Sequence, residues 1–213
     1  MQLKQIAVLE AAFNPPHLGH QDILQQISRE FDEIVLIPRY QISHQVAMAD
    51  FSDRLLMTKA LVELFNFWQQ QAGCRSVVIK VSDIARQIAR QQQSVNAGCL
   101  LATLDKSYAE KSVCAEFTWI ENVDSSAFHL HKTRLEESWY IDAELQHTEL
   151  SRIELKQRCK ILPIRKKQPI KSAEIRALIR DFSRPQAMFV SRFKNYLNTT
   201  IANYIYRRKL YGA

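Results

Sequence analysis

Two histidines three residues apart, His17 and His20, flank Gly19 in the stretch EAAFNPPHLGHQDILQQI, residues 10–27. Imidazoles at i and i+3 share one side of a helical turn, where both can donate hydrogen bonds to phosphate oxygens. The stretch follows an apolar run and precedes residues with helical periodicity, so it reads as a strand-to-helix turn. Pro15 and Pro16 fix the backbone ahead of the helix. A helix N-terminus supplies unpaired N–H groups and a partial positive charge, both of which favour an anion. Gly19 is one of only four glycines and has no side chain to keep a flat base or a ribose from the backbone. The chemistry this implies is recognition of a phosphorylated nucleotide. The competing reading is a histidine pair that merely caps or decorates a helix; the proline, glycine and strand-to-helix context favours the first.

Such a turn needs a frame to hold it. QIAVLEAAF (5–13) and EIVLIP (33–38) are apolar runs of strand length, separated by a segment whose Ile23, Leu24, Ile27 and Phe31 recur at helical spacing. FSDRLLMTKALVELFNFW (51–68) reads as an amphipathic helix entered through Ser52 or Asp53. SVVIKVS (76–82), AEFTWIE (115–121) and CKILPI (159–164) read as further strands, and residues 94–110 as a helix. After them SAEIRALIRDF (172–182), QAMFVSRFKNYL (186–197) and TTIANYIYRRKLY (199–211) predict a helical tail. Alternating strands and helices imply an α/β fold with a doubly wound parallel sheet, followed by a small C-terminal helical subdomain. The expected division is residues 1–165 for the sheet domain and 166–213 for the helical part. The turn bearing His17 then falls at the carboxyl end of a sheet strand, where open α/β folds bind ligands. Residues 140–158 fit helix, strand or connection equally.

The whole chain bounds the answer. At 213 residues and 46% hydrophobic content it can bury a substantial core. No apolar stretch approaches the roughly 20 residues of a membrane span, and the start lacks a secretory pattern, so a cytoplasmic protein with no membrane partner is expected. Cys74, Cys99, Cys114 and Cys159 show no metal-ligand or disulfide spacing and read as reduced thiols. The net charge of +7 is uneven: residues 151–213 hold 16 Lys and Arg against 3 Asp and Glu. That segment is where a polyanion would go. No stacking platform or nucleic-acid motif accompanies the charge, so nucleic acid is not the expected partner. A homo-oligomer is compatible with the sequence.

With these residues in view, a family resemblance can be stated. AAFNPPHLGH resembles the G-x-F-x-P-x-H-x-G-H signature of the HxGH nucleotidyltransferases. The chain as a whole is most similar to their bacterial nicotinate mononucleotide adenylyltransferase branch, which opens G-G-T-F-D-P-x-H-x-G-H. Phe13, Pro15, His17, Gly19 and His20 match, while Ala11, Ala12 and Asn14 stand where that branch has glycine, threonine and aspartate. IKSAEIR resembles the branch's second signature, I-S-S-T-x-I-R, through Ile170, Ser172, Ile175 and Arg176, with Lys171 and Ala173 substituted. IPRYQISH, FSDRLLM, IENVDSSAF and the ending IANYIYRRKLY resemble further family segments through Pro38, His44, Arg54, Met57, Asp124 and Ser125.

The resemblance implies a Rossmann-like fold and an adenylyltransferase that moves AMP from ATP to a mononucleotide, foremost nicotinate mononucleotide, releasing pyrophosphate in NAD biosynthesis. It implies His17 and His20 as catalytic residues. For ATP it implies Ala11, Ala12, Phe13, Gly19, Asp124, Ile170, Ser172 and Arg176, and for the acceptor Asn14, His44 and Asn96. Mg2+ would travel on the phosphate oxygens, since no carboxylate cluster suits a protein cage. On physical grounds Ser172 is expected to cap its helix and Arg176, one turn in, to reach a triphosphate. Gln45 stands where a lysine is usual, a charge that Lys171 or Arg39 would replace. The family's S-Y-T segment reads SVN at 94–96, and no large aromatic ring follows near 129–133. Two alternatives therefore stay open: a transferase with another phosphorylated acceptor, and a nucleotide-binding paralogue that senses or interacts without turnover.

Overall fold

The computed structural model describes residues 3–40, 48–73, 77–91, 95–122, 159–164 and 170–213. Strands β1 (Leu3–Ala11), β2 (Glu33–Pro38), β3 (Val78–Val81), β4 (Cys114–Asn122) and β5 (Cys159–Ile164) form one sheet of order β3-β2-β1-β4-β5. The pairs β1·β4, β2·β3 and β4·β5 are parallel, with Ile6 beside Phe117, Leu36 beside Val81 and Trp119 beside Ile161. Strand order reverses between β1 and β4, which makes the sheet doubly wound and puts its topological switch point at the ends of those two strands.

The chain divides into two compact units. The first comprises Met1–Glu10, Glu30–Tyr40 and Val77–Arg165 and contains the sheet with α3 (Ile84–Arg90) and α4 (Ala97–Ala109). One alternating set of strand residues, Ile6, Val8, Val35, Ile37, Phe117 and Trp119, packs against Ile84, Ile88, Leu100, Leu101 and Leu104 of these helices. The opposite set, including Ala7, Leu9, Ile34, Leu36 and Ile120, is buried as well, as expected of a parallel sheet with two covered faces. β2 is buried along its whole length, and β3, at the sheet edge, alternates between exposed and half-buried.

At the start of β2 a fully buried carboxylate, Glu33, receives the Tyr108 hydroxyl and ion pairs with Lys80 at 2.6 Å and Lys4 at 3.6 Å. The cluster ties three neighbouring strands and α4 together at the amino ends of the strands. A buried charge is tolerated only when it is paired and hydrogen-bonded in this way.

The second unit comprises Ala11–Arg29, Gln41–Ser76 and Lys166–Ala213. It holds α1 (Leu18–Ile27), α2 (Phe51–Gln71), α5 (Ser172–Arg180), α6 (Gln186–Phe193), α7 (Thr199–Arg207) and a 3-10 turn at Leu210–Gly212. Phe189 and Phe193 pack with ring centroids 4.5 Å apart, and Phe182 meets each of them edge-on. Ile175, Ile179, Ile201, Ile205, Met57, Leu61 and Phe65 are buried in the same unit.

Several expectations shift. The first strand ends at Ala11 and not at 13, because Phe13 takes a left-handed φ of 45°. Helix α2 begins at Phe51 after Asp50, which makes no side-chain cap. Ser52 and Asp53 therefore lie inside it, and the Asp53 carboxylate is used elsewhere. Helix α3 was not anticipated: at seven residues it shows only Ile84, Ala85 and Ile88 as a buried face, too little for periodicity to register. Residues 140–158 lie outside the described residues. Cys99, Cys114 and Cys159 are free thiols, Cys99 being buried.

Candidate active site

β1 runs directly into the loop that carries the histidine pair. His17 is the N-cap of α1, with extended backbone (φ −146°, ψ 174°). Its Nδ1 accepts the Gly19 N–H at 3.1 Å, while His20 Nδ1 accepts the His17 N–H at 3.1 Å. This is a reciprocal capping box built from two imidazoles in place of the usual serine and glutamate. The rings lie 3.9 Å apart between centroids, tilted by 42°, and Phe13 packs on His20 at 4.8 Å. His17 is 2% exposed and His20 7%. An imidazole that accepts a hydrogen bond at Nδ1 keeps its proton at Nε2 when neutral, so the pair is arranged as two Nε2–H donors.

The backbone of α1 does not offer what the sequence reading expected. The Leu18 N–H donates to Tyr196 O at 2.9 Å, Gly19 to His17, and His20 to His17 O at 2.9 Å. Every N–H of the first turn is thus taken by protein, and the helix contributes its dipole and its side chains to an anion. At α5 the situation is reversed. Ser172 is not its cap: Lys171 holds that position with no side-chain bond, and Ser172 is the first helical residue. The Ser172 hydroxyl donates to Pro15 O at 3.2 Å. The N–H groups of Ser172, Ala173 and Glu174 have no acceptor among the described residues. Of the two helix starts, α5 is the one with backbone donors to give.

The loop between β1 and α1 is gripped at its carbonyls. Arg54, on α2 and 0% exposed, donates through Nη1 to Ala12 O at 2.9 Å and through Nε to Ala49 O at 3.1 Å. Its guanidinium is shifted below its usual range by burial, while the nearby Tyr211 and Asp50 act in the opposite direction. Arg176 Nη1 donates to Asn14 O at 2.7 Å. The side-chain Oδ1 of Asn14 receives the Tyr211 hydroxyl at 2.8 Å and the Ala49 N–H at 3.1 Å. Behind Arg54 its helical neighbour Asp53 accepts from Tyr204 Oη at 2.6 Å and from Arg208 Nε at 3.3 Å. Three separate helical segments, α2, α5 and the 3-10 turn, thus fix one short loop.

The structure brings Ala11, Ala12, Phe13, Asn14, His17, Gly19, His20, Ile170, Ser172 and Arg176 into the second unit. Asn96 belongs to the first, where its Oδ1 caps α4 by accepting the Cys99 N–H at 2.8 Å. His44 and Asp124 lie outside the described residues. Arg39 pairs with Glu10 at 3.3 Å, which offsets the charge it would bring, and Lys171 is exposed. Tyr211 and Asp53 were not foreseen as parts of the site. Their only signal was a family-like ending and an ordinary helix start, and their partners lie far away in sequence.

A doubly wound parallel sheet whose first strand leads into a paired-histidine turn defines an α/β protein of the Rossmann-like class. More narrowly, residues 9–178 match the cytidylyltransferase-like family, and the chain belongs to that family. A protein of Schizosaccharomyces pombe provisionally named a nicotinamide mononucleotide adenylyltransferase is 30% identical over 116 residues, 52% of this chain and 47% of its own. The nicotinamide-nucleotide adenylyltransferase of Methanoculleus marisnigri is 38% identical over 77 residues, 35% of this chain and 41% of its own. The chain thus spans less than half the length of these curated relatives. In fold it is similar to the Plasmodium falciparum nicotinic acid mononucleotide adenylyltransferase complexed with NaAD, at a TM-score of 0.63 and 16% identity over 98% of this chain and 97% of that one.

Proposed function

We propose that the chain is an adenylyltransferase of pyridine nucleotide synthesis, transferring AMP from ATP to a pyridine mononucleotide, with nicotinate mononucleotide as the leading acceptor. The observation that carries the reading is the paired Nε2–H edge of His17 and His20. In this reading a phosphate oxygen of the acceptor attacks the α-phosphorus of ATP. The new O–P bond forms as the bond to the β-phosphate oxygen breaks, and pyrophosphate leaves. No covalent enzyme intermediate is needed, so the work is positioning and stabilisation of charge on the phosphoryl oxygens. The histidine donors meet the α-phosphate, and the N–H groups of α5 that have no acceptor among the described residues, with Lys171, steady the leaving pyrophosphate. Arg176 joins them by exchanging Asn14 O for a phosphate oxygen.

Among the described residues no group of three or more His, Cys, Asp or Glu is arranged to hold a metal. The Asp53 carboxylate is already taken by Tyr204 and Arg208. Mg2+ therefore fits this reading as an ion carried by the phosphates. The nicotinamide-type names of the two curated relatives make nicotinamide mononucleotide the acceptor to run in parallel.

A second reading, a nucleotide-binding paralogue without turnover, has one observation in its favour. Arg176 and Ser172 spend their donors on the carbonyls of Asn14 and Pro15. The experiment that separates the two is pyrophosphate release with ATP, Mg2+ and each mononucleotide, beside a His20→Ala control. Turnover abolished in the control supports the transferase. ATP binding without release from either acceptor favours the paralogue.

A further inference from the structure

Asn14 stands where the resembled pattern has an aspartate, and its surroundings give that difference a consequence. Its Oδ1 accepts from the Tyr211 hydroxyl at 2.8 Å and from the Ala49 N–H at 3.1 Å. The Ala49 donor decides which end of the amide is which, because an N–H cannot donate to an NH2 group. With both lone pairs of Oδ1 used, Nδ2 must point away from Tyr211 and Ala49. No acceptor for Nδ2 occurs among the described residues, although Asn14 is only 4% exposed. Nor is it one of the side-chain nitrogens sealed from solvent without a partner, so it borders open space with two N–H bonds to give.

The other half of the arrangement is Tyr211. Lys209 and Tyr211 both adopt left-handed backbone, with φ of 51° and 62°, in the tight turn that brings the phenol to Asn14. Non-glycine residues hold that conformation only where surrounding contacts over-determine it. Burial keeps the phenol protonated well above its usual range, against the opposing charges of Arg176 and Arg54, so it remains a donor.

We propose that Tyr211 is a positioning residue for Asn14, holding its amide so that Nδ2 donates a hydrogen bond to a phosphate oxygen of the bound nucleotide. The proposal rests on the nucleotide-binding part of the reading above and not on turnover. The phosphate belongs either to ATP or to the mononucleotide. An aspartate at 14 would keep both incoming bonds but present an anionic oxygen where asparagine presents N–H. N14D therefore removes the donor while leaving its two supports in place.

The test is calorimetric titration of α,β-methylene-ATP and, separately, of nicotinate mononucleotide into wild type, N14D, Y211F and the double variant. N14D is expected to keep the wild-type Tm and bind one ligand about 10–100-fold more weakly, the loss of one charge-assisted hydrogen bond. Y211F is expected to weaken the same ligand by about 3–10-fold and to add nothing in the N14D background. The arm that suffers identifies the phosphate. Unchanged affinity of N14D for both ligands overturns the proposal, as does a Y211F loss that persists in full beside N14D. Should N14D not fold, Y211F decides alone, and wild-type affinity for both ligands overturns it. A wild-type protein that binds but releases no pyrophosphate removes the transferase reading only. One that binds neither ligand removes both.

Discussion

His20 Nδ1 accepts the backbone N–H of His17 at 3.1 Å, and this bond decides what the second imidazole can offer a substrate. Since His17 Nδ1 is likewise committed to Gly19, each ring has a structural edge and a donor edge. The two roles can be separated by substitution.

Asparagine is a good N-cap but too short to place a donor where Nε2 lies. His17→Asn should therefore keep the thermal midpoint close to wild type, whereas His17→Ala should lose roughly 0.5–2 kcal/mol of stability. Both should reduce pyrophosphate release by about 100-fold or more, the usual cost of one lost transition-state donor. Thermal unfolding and steady-state rates of the two variants side by side check this. An asparagine variant with near-normal turnover would reduce His17 to a cap.

How far these features could be read in advance depended on the range of the interactions. β1, α1 and β2 announce themselves by local periodicity, and His17, Gly19 and His20 by spacing alone. Alternating strands and helices announce a doubly wound parallel sheet, while the order β3-β2-β1-β4-β5 is a finding of the structure. What could not be read is where donors are spent. The Leu18 N–H meets the carbonyl of Tyr196, and the Ser172 hydroxyl meets that of Pro15; neither partner is near in sequence. A serine at the head of a helix is expected to cap it, and here a distant carbonyl outcompetes that local bond. Tyr211 and Asn14 are the same case at longer range.

Arg54 is the buried tie between α2 and the loop, serving the carbonyls of Ala12 and Ala49 at once. Arg54→Met would leave both carbonyls without their donor, at a cost of about 1–3 kcal/mol for each buried group left unsatisfied. Arg54→Lys cannot reproduce the fork, so it should recover only part of the loss. Denaturant unfolding measures both. A methionine variant as stable as wild type would mean that other groups hold the loop.

Alkaline pH should destabilise the protein from a definite set of groups. Burial raises the Cys159 thiol from 9.0 to about 11. Tyr108, Tyr204 and Tyr211 are also raised above 10.0, each by burial first; a neighbouring carboxylate adds to the effect, Glu33 for Tyr108 and Asp53 for the other two. A folded pKa above the unfolded one means that the unfolded chain binds fewer protons in the interval, so stability falls as pH rises. The contribution is intact below about pH 9, declines between 9 and 11 for Cys159, and continues to decline beyond 10 for the tyrosines. Unfolding midpoints at pH 7, 9 and 10.5 should decline in that order, and Cys159→Ser should flatten the first part of the slope. A flat profile to pH 11 would show that these groups are not held protonated by the fold.

Lys171 and Arg176 stand at a helix start whose first N–H groups have no acceptor among the described residues, yet they are expected to behave differently. Lys171 is exposed, and its charge should contribute about 0.3–1 kcal/mol to an anion at the α5 terminus. Lys171→Ala should therefore weaken ATP by roughly 2–5-fold, an effect that shrinks as salt is raised. Arg176 is already bonded to Asn14 O at 2.7 Å, so binding a phosphate means exchanging one acceptor for another. Its removal should cost both stability, through the loop, and affinity, through the phosphate. Arg176→Ala measured by thermal unfolding with and without ATP separates these contributions. A loss of stability without ATP, together with an unchanged ATP-induced shift, would leave Arg176 a structural tie and assign the pyrophosphate to Lys171 and the backbone of α5.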